Sequence, residues 1–140
     1  MKVLRNILAV VAGLIVGGVV NMALVIASPL VIPPPAGVDV SDPQSLSESM
    51  HLFEPKHFVF PFLAHALGTL VGALVAYLVA ASHKPVFAYV IAACFLAGGI
   101  AAARMIPAPT WFVVLDLAMA YVPMAFLGTL LGRRITRPKP

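Results

Sequence analysis

Charged residues are scarce in this sequence: nine lysines and arginines and five aspartates and glutamates in 140 residues. Soluble domains carry about 25% charged residues, and a chain with 10% cannot cover a water-facing surface. With 61% apolar residues and the length of one domain, the sequence reads as an integral membrane protein. Cysteine is nearly missing. Cys94 stands alone inside an apolar run, which excludes an internal disulfide and any CxxC redox or zinc centre. Strict apolar/polar alternation is absent, so a membrane β-barrel is excluded. The apolar runs have no serine in their interiors, which argues against an intramembrane serine nucleophile. A transmembrane bis-histidine haem needs two facing histidines, and only His65 lies well inside a run. No cofactor is therefore expected. The formal charge of +4 does not indicate nucleic acid, because the basic residues sit at the ends of apolar segments, where membrane topology is encoded.

Four long apolar runs are present, at about residues 7–27, 58–81, 86–105 and 111–131. Each has about the 20 residues that a helix needs to cross a ~30 Å hydrocarbon core. The expected fold is an all-α membrane protein, a single four-helix bundle over residues 1–140. The first run has Lys2 and Arg5 before it and "VIAS" near its end, as a signal peptide would. Its apolar stretch exceeds the usual 7–15 residues of a signal core, and Pro29 follows, so it is read as a retained helix.

Lys2, Arg5, Lys84, Arg133, Arg134, Arg137 and Lys139 all fall on one side if the chain crosses four times, leaving Lys56 and Arg104 for the other. The positive-inside rule then places both termini in the cytoplasm, with a bacterial inner membrane as the expected location. The basic tail, residues 132–140, also meets anionic lipid. The long connection, residues 28–57, is an outer loop. It opens on a stiff "PPP" stretch and continues into "SDPQSLSESMHLF", which reads as a short amphipathic helix. Ser41 with Gln44 fits a capping box, Pro43 a first-turn position, and Leu46, Met50 and Phe53 one apolar face. "LGTLVG" (67–72) recurs as "LGTLLG" (127–132). Apolar helices share such strings by chance, and His65 would align with Ala125, so no duplication is inferred.

Membrane helices pack through small residues. The expected stripes are Gly13 and Gly17, Gly68 and Gly72, Ala93, Ala97 and Ala101, and Ala120 followed by Pro123. Asn21, His65, Arg104 and Asp116 each lie three or four residues from a stripe and so share its face. They are expected to form a polar layer in the outer third of the membrane. Within it, Arg104 and Asp116 would pair across the "IPAPT" turn, since a lone ion there costs at least ~2.5–3.5 kcal/mol. Pro123 should kink the fourth span, Thr69 and Thr129 should bond to backbone, and the three tyrosines should be packing or interfacial groups. His51, Glu54 and His57 in "HLFEPKH" are weaker candidates for a metal site, because Pro55 breaks any single helix through them.

Three functions fit these residues. The first is non-enzymatic binding of a small ligand, ion or lipid headgroup by the polar layer, as in a small transporter working as a homo-oligomer. In the second, an accessory subunit of a larger membrane complex, the layer only clasps helices. The third, an enzyme using His65 as base and Asp116 as orienting carboxylate, lacks a visible nucleophile and ranks last. The bilayer is the expected partner in all three.

Overall fold

In the computed structural model, which describes residues 1–137, every regular element is a helix. Four helical spans are long and apolar enough to cross a membrane. The first is α1 (Lys2–Val31). A connection then carries α2 (Pro43–Glu48) and two 3₁₀ turns, Met50–Leu52 and Pro55–Phe58. The second span follows as α3 (Val59–Val79) and the third as α4 (Lys84–Met105). The fourth is split into α5 (Thr110–Met119) and α6 (Val122–Thr136).

Several boundaries differ from those expected. The first span begins at Lys2 rather than residue 7, because Lys and Arg are good helix formers and Arg5 finds a partner. It also continues through Pro29, which sits in the last turn, where its missing N–H costs one hydrogen bond, to the Val25 carbonyl. The basic tail expected at 132–140 is helical through Thr136, and residues 138–140, with Lys139, lie outside the described residues. In the loop, Asp42 caps α2 in place of Ser41, accepting from the backbone N–H groups of Gln44 and Ser45 at 3.3 and 3.0 Å. Pro43 at the first helical position makes residue 42 the cap. Ser41 bonds instead to Asp39, and its hydroxyl and backbone N–H hold that carboxyl below the usual range.

The helices meet at glycine and alanine. A Cβ on Gly17 would lie 2.6 Å from the Gly68 carbonyl oxygen, and one on Gly72 would lie 2.7 Å from that of Gly13. The backbones of antiparallel α1 and α3 therefore touch, and their register pairs 13 with 72 and 17 with 68. Gly128 of α6 rests on the Leu70 carbonyl of α3, and Gly132 faces the Tyr77 ring, so α3 and α6 run parallel. The buried core is mainly alanine, including Ala64, Ala73, Ala76, Ala88, Ala92 and Ala125. Small side chains let backbones approach, which is how helices gain contact when lipid is as apolar as leucine. One expected stripe faces away from the bundle. In α4, Ala93, Ala97 and Ala101 are exposed, and the packed face is Ala88, Ile91, Ala92 and Gly99.

Polar side chains close the end that carries the α3–α4 turn. The Arg5 Nε donates to the Val79 carbonyl at 2.7 Å, and Asn6 Oδ1 accepts from Ala81 N–H at 2.8 Å. The Asn6 amide donates to the Ser82 hydroxyl at 3.0 Å. Lys84 Nζ lies 3.4 Å from the carbonyls of Tyr77 and Leu78. Arg5 and Lys84 thus supply donors to carbonyls that the last turn of α3 leaves open, and Arg5 and Asn6 fix the start of α1 against the turn.

Two adjacent glycines should answer oppositely to the same substitution. A Cβ on Gly18 meets nothing within 4 Å. Gly17→Ala should destabilise the detergent-solubilised protein by about 1–3 kcal/mol, as overpacking does. Gly18→Ala should be neutral or stabilise by up to about 1 kcal/mol. Thermal unfolding of the two variants checks this, and equal losses would refute the direct backbone contact.

Candidate functional site

The buried face of α5 is Phe112 and Asp116, and it continues at Ala120 beyond the helix end, so Asp116 points into the bundle. Its carboxylate meets His65 of α3, whose Nδ1 is 2.9 Å from both oxygens. A second partner arrives from beyond the helix end. The fourth span breaks at Ala120–Tyr121, where Pro123 in the first turn of α6 has no N–H for the Met119 carbonyl. The break turns Tyr121 back toward α5, and its hydroxyl donates to Asp116 Oδ2 at 3.1 Å. Asp116 is 4% exposed and Tyr121 1%. The Tyr121 hydroxyl fits only because Gly99 of α4 has no side chain, since any Cβ there would overlap it. The His65 and Tyr121 rings lie 5.8 Å apart and tilted by 30°. One turn along α3, Thr69 returns its hydroxyl to the His65 carbonyl at 2.8 Å.

The structure therefore joins His65 to Asp116 and places the other two members of the expected layer elsewhere. Arg104 is exposed and makes no ion pair among the described residues. It shares a face with Ala97 and Ala101, which is the unpacked face of α4, so the expected Arg104–Asp116 bridge does not form. Asn21 is half-buried against α3, where its Cβ lies 3.1 Å from the Cβ position of Gly68. No hydrogen bond links it to His65 or Asp116. Tyr121, expected to be a packing or interfacial residue, is part of the site. Tyrosine five residues after an aspartate does not face it along one helix, but the pair can meet across a break, and Pro123 was the available sign of one. Thr129, expected to bond to backbone, is buried with its hydroxyl unpartnered among the described residues.

The loop candidates do not assemble a metal site. Glu54 pairs with Lys56 at 3.1 Å, and His57 Nδ1 accepts from the Glu54 backbone N–H at 2.9 Å. His51 Nδ1 lies 3.1 Å from the Glu48 carbonyl oxygen. Among the described residues no group of three His, Cys, Asp or Glu side chains is placed to hold an ion.

Above His65 and Asp116 the helices part around a chamber of ≈ 360 Å³. Its walls are Val25 and Pro29 of α1, Ala102 and Ala103 of α4, and Phe112 and Val113 of α5. Leu46, Met50 and Phe53 of the loop cover it. Phe58 anchors the cover: it is 6% exposed, with its ring 4.8 Å from that of Phe112 and 5.5 Å from that of Trp111. A volume of a few hundred Å³ with apolar walls and few polar groups is typical of small-molecule pockets. His65 and Asp116 line the floor of the chamber, where the His65 Nε2 has no hydrogen-bond partner among the described residues. Ser28 and His57 line the upper part. The α1–α3 register sets Ser28 eight residues above the level of His65, about 12 Å at helical rise.

Comparisons with protein-family models, with curated proteins and with solved structures return no match for this chain.

Double-mutant cycles test the geometry. Asp116→Ala should cost about 3 kcal/mol, as losing one member of a buried pair does, and Tyr121→Phe about 1 kcal/mol. His65→Ala and Asp116→Ala should be coupled, with the double variant losing less than the sum. Arg104→Gln should stay within about 0.5 kcal/mol of the parent. Unfolding in detergent measures all five variants, and additive losses for His65 and Asp116 would contradict the contact.

Proposed function

We propose that this chain is a membrane-embedded binding protein. Its chamber holds a small amphipathic molecule, apolar body against the walls and polar head on His65. The observation that carries this reading is the chamber itself, lined mainly by apolar side chains and reaching down to the half-buried His65 and the buried Asp116. A purely structural clasp needs the His65–Asp116–Tyr121 contacts but no space above them.

The proposed topology has both termini in the cytoplasm and the chamber near the outer face. Its support is the charge asymmetry: Lys2, Arg5, Lys84, Arg133 and Arg134 gather at the end bearing the α3–α4 turn, against Lys56 and Arg104 at the loop end. A reporter active only outside the cytoplasm should be silent when fused after Thr136 and active when inserted in the loop at Val40. The reverse pattern would invert the assignment.

Hydrolysis is the second reading, favoured by the His–Asp contact, which resembles the orienting half of a catalytic triad. Ser28, the one serine among the described residues that line the chamber, is about 12 Å above His65 by register, beyond reach for a base that must lie within ~3.2 Å of its nucleophile. Binding is therefore the better account.

Native mass spectrometry of the gently extracted protein should show a bound small molecule that survives detergent exchange. Ala102→Phe, which places a ring in the chamber, should release that mass while leaving the helical circular dichroism unchanged. Identical adduct spectra from parent and variant would defeat the chamber reading.

A further inference from the structure

We propose that a second binding site, for an anionic phospholipid of the surrounding bilayer, lies between α1 and α4 at the end that bears the α3–α4 turn. It is separate from the chamber and stands whatever the chamber holds. α4 rests on α1 at two levels, with the Ile91 side chain against Gly13 and the Phe95 ring against Gly17. Nearer the end the two helices part. Val3, Ile7, Val10 and Val11 of α1 and Phe87 of α4 line a groove of ≈ 470 Å³ there. Asn6 is the one polar side chain among the lining residues, and both ends of its amide are committed to the α3–α4 turn. Its Oδ1 accepts from the Ala81 N–H, and its Nδ2 donates to the Ser82 hydroxyl. The groove therefore calls for an apolar occupant with no hydrogen bonds of its own. Val3, Ile7 and Val11 are exposed, so it opens sideways, toward lipid, and not into the bundle.

Charge selects the head group. Both α1 and α4 begin at this end. Lys2 stands four residues before Asn6 and Lys84 three residues before Phe87, so each lies one turn nearer the end on a groove-lining face. Neither lysine makes an ion pair among the described residues. The Lys84 amine lies 3.4 Å from two carbonyl oxygens and 5.6 Å from the Tyr77 ring centre, neutral partners that position its charge without cancelling it. Arg5, bonded to the Val79 carbonyl, adds a third cation at the same end. No carboxylate opposes them there: the five acidic residues are Asp39, Asp42, Glu48 and Glu54 in the loop and Asp116 in α5. An acyl chain in the groove with its phosphate on Lys2 and Lys84 meets both halves of the site. A head with net negative charge fits best, because a choline or ethanolamine head brings its own cation to the cluster. A second copy of this chain fits poorly, since an isologous contact would set the same lysines against each other.

The test uses the full chain, stripped of lipid in dodecyl maltoside and titrated with phosphatidylglycerol or with phosphatidylcholine of identical acyl chains. Native mass spectrometry reads the adducts and the oligomeric state. Phosphatidylglycerol should bind about 25-fold tighter, about fivefold for each lysine near a membrane surface. The double variant Lys2→Gln/Lys84→Gln should abolish that preference. Because Lys84 also touches the end of α3, a second variant leaves the charges in place. Val11→Trp, at the exposed rim, fills the groove and should lower phosphatidylglycerol binding with the helical circular dichroism unchanged. Arg133→Gln/Arg134→Gln removes the same charge from α6, which does not line the groove, and should keep the preference. Equal binding of the two lipids overturns the site, and so do equal losses from the lysine and arginine pairs, which would mean a diffuse charge effect. Ala102→Phe in the chamber should retain the bound phosphatidylglycerol. Its loss there would place the lipid in the chamber and overturn the groove while leaving the chamber reading intact. A dimer that Val11→Trp dissociates would give the groove to a second copy and overturn the lipid assignment.

Discussion

The backbone of α1 lies directly on that of α3, glycine against glycine at 13/72 and 17/68. Most other features of the bundle are placed by that contact. With no side chains between them the two helices cannot slide without collision, so their register is fixed. At one end the register brings Arg5 and Asn6 to the α3–α4 turn, where they satisfy Val79, Ala81 and Ser82. At the other it carries the last turns of α1 past the start of α3, where Val25, Ser28 and Pro29 form one wall of the chamber. A leucine at any of these glycines would separate the helices and shift both ends together.

The second constraint is the break in the fourth span. A continuous helix through residues 110–136 would direct Tyr121 away from Asp116, because positions five apart lie on different faces. Pro123 removes one rung of the ladder, Tyr121 leaves helical geometry, and its hydroxyl reaches the carboxylate. The interruption thus gives the buried aspartate a second partner. Gly99 supplies the space, and α4 is tied to the same cluster although it contributes no polar group to it. Buried polar contacts of this kind often define geometry more than they stabilise it. Here the geometry leaves one imidazole nitrogen free beside an apolar chamber.

Much of the fold was legible in the residues. Runs of apolar side chains of bilayer length define four helices with little ambiguity, because no other backbone arrangement satisfies itself in an apolar medium. The glycine pairs of α1 and α3 were visible as packing stripes. The alanine stripe of α4 was not readable, because alanine occurs on both its faces: Ala88 and Ala92 are packed, Ala93 and Ala97 exposed. Arg104 lies on the exposed face, with Ala97 and Ala101. An acidic and a basic residue near a turn look like a pair in one dimension, but a rotation of about 100° per residue decides whether they meet.

Composition and run length by themselves determined the class, the number of spans and the grouping of basic residues at one end. They also marked His65 and Asp116 as intramembrane groups that need partners. Only the tertiary structure decided that the two partner each other, that Tyr121 joins them and that the loop covers a chamber above them. The reason is physical. Hydrophobicity is a property of each residue and adds along the chain, whereas a hydrogen bond between α3 and α5 depends on helix rotation, on register and on a break in a helix. Those are set by contacts among all the spans together.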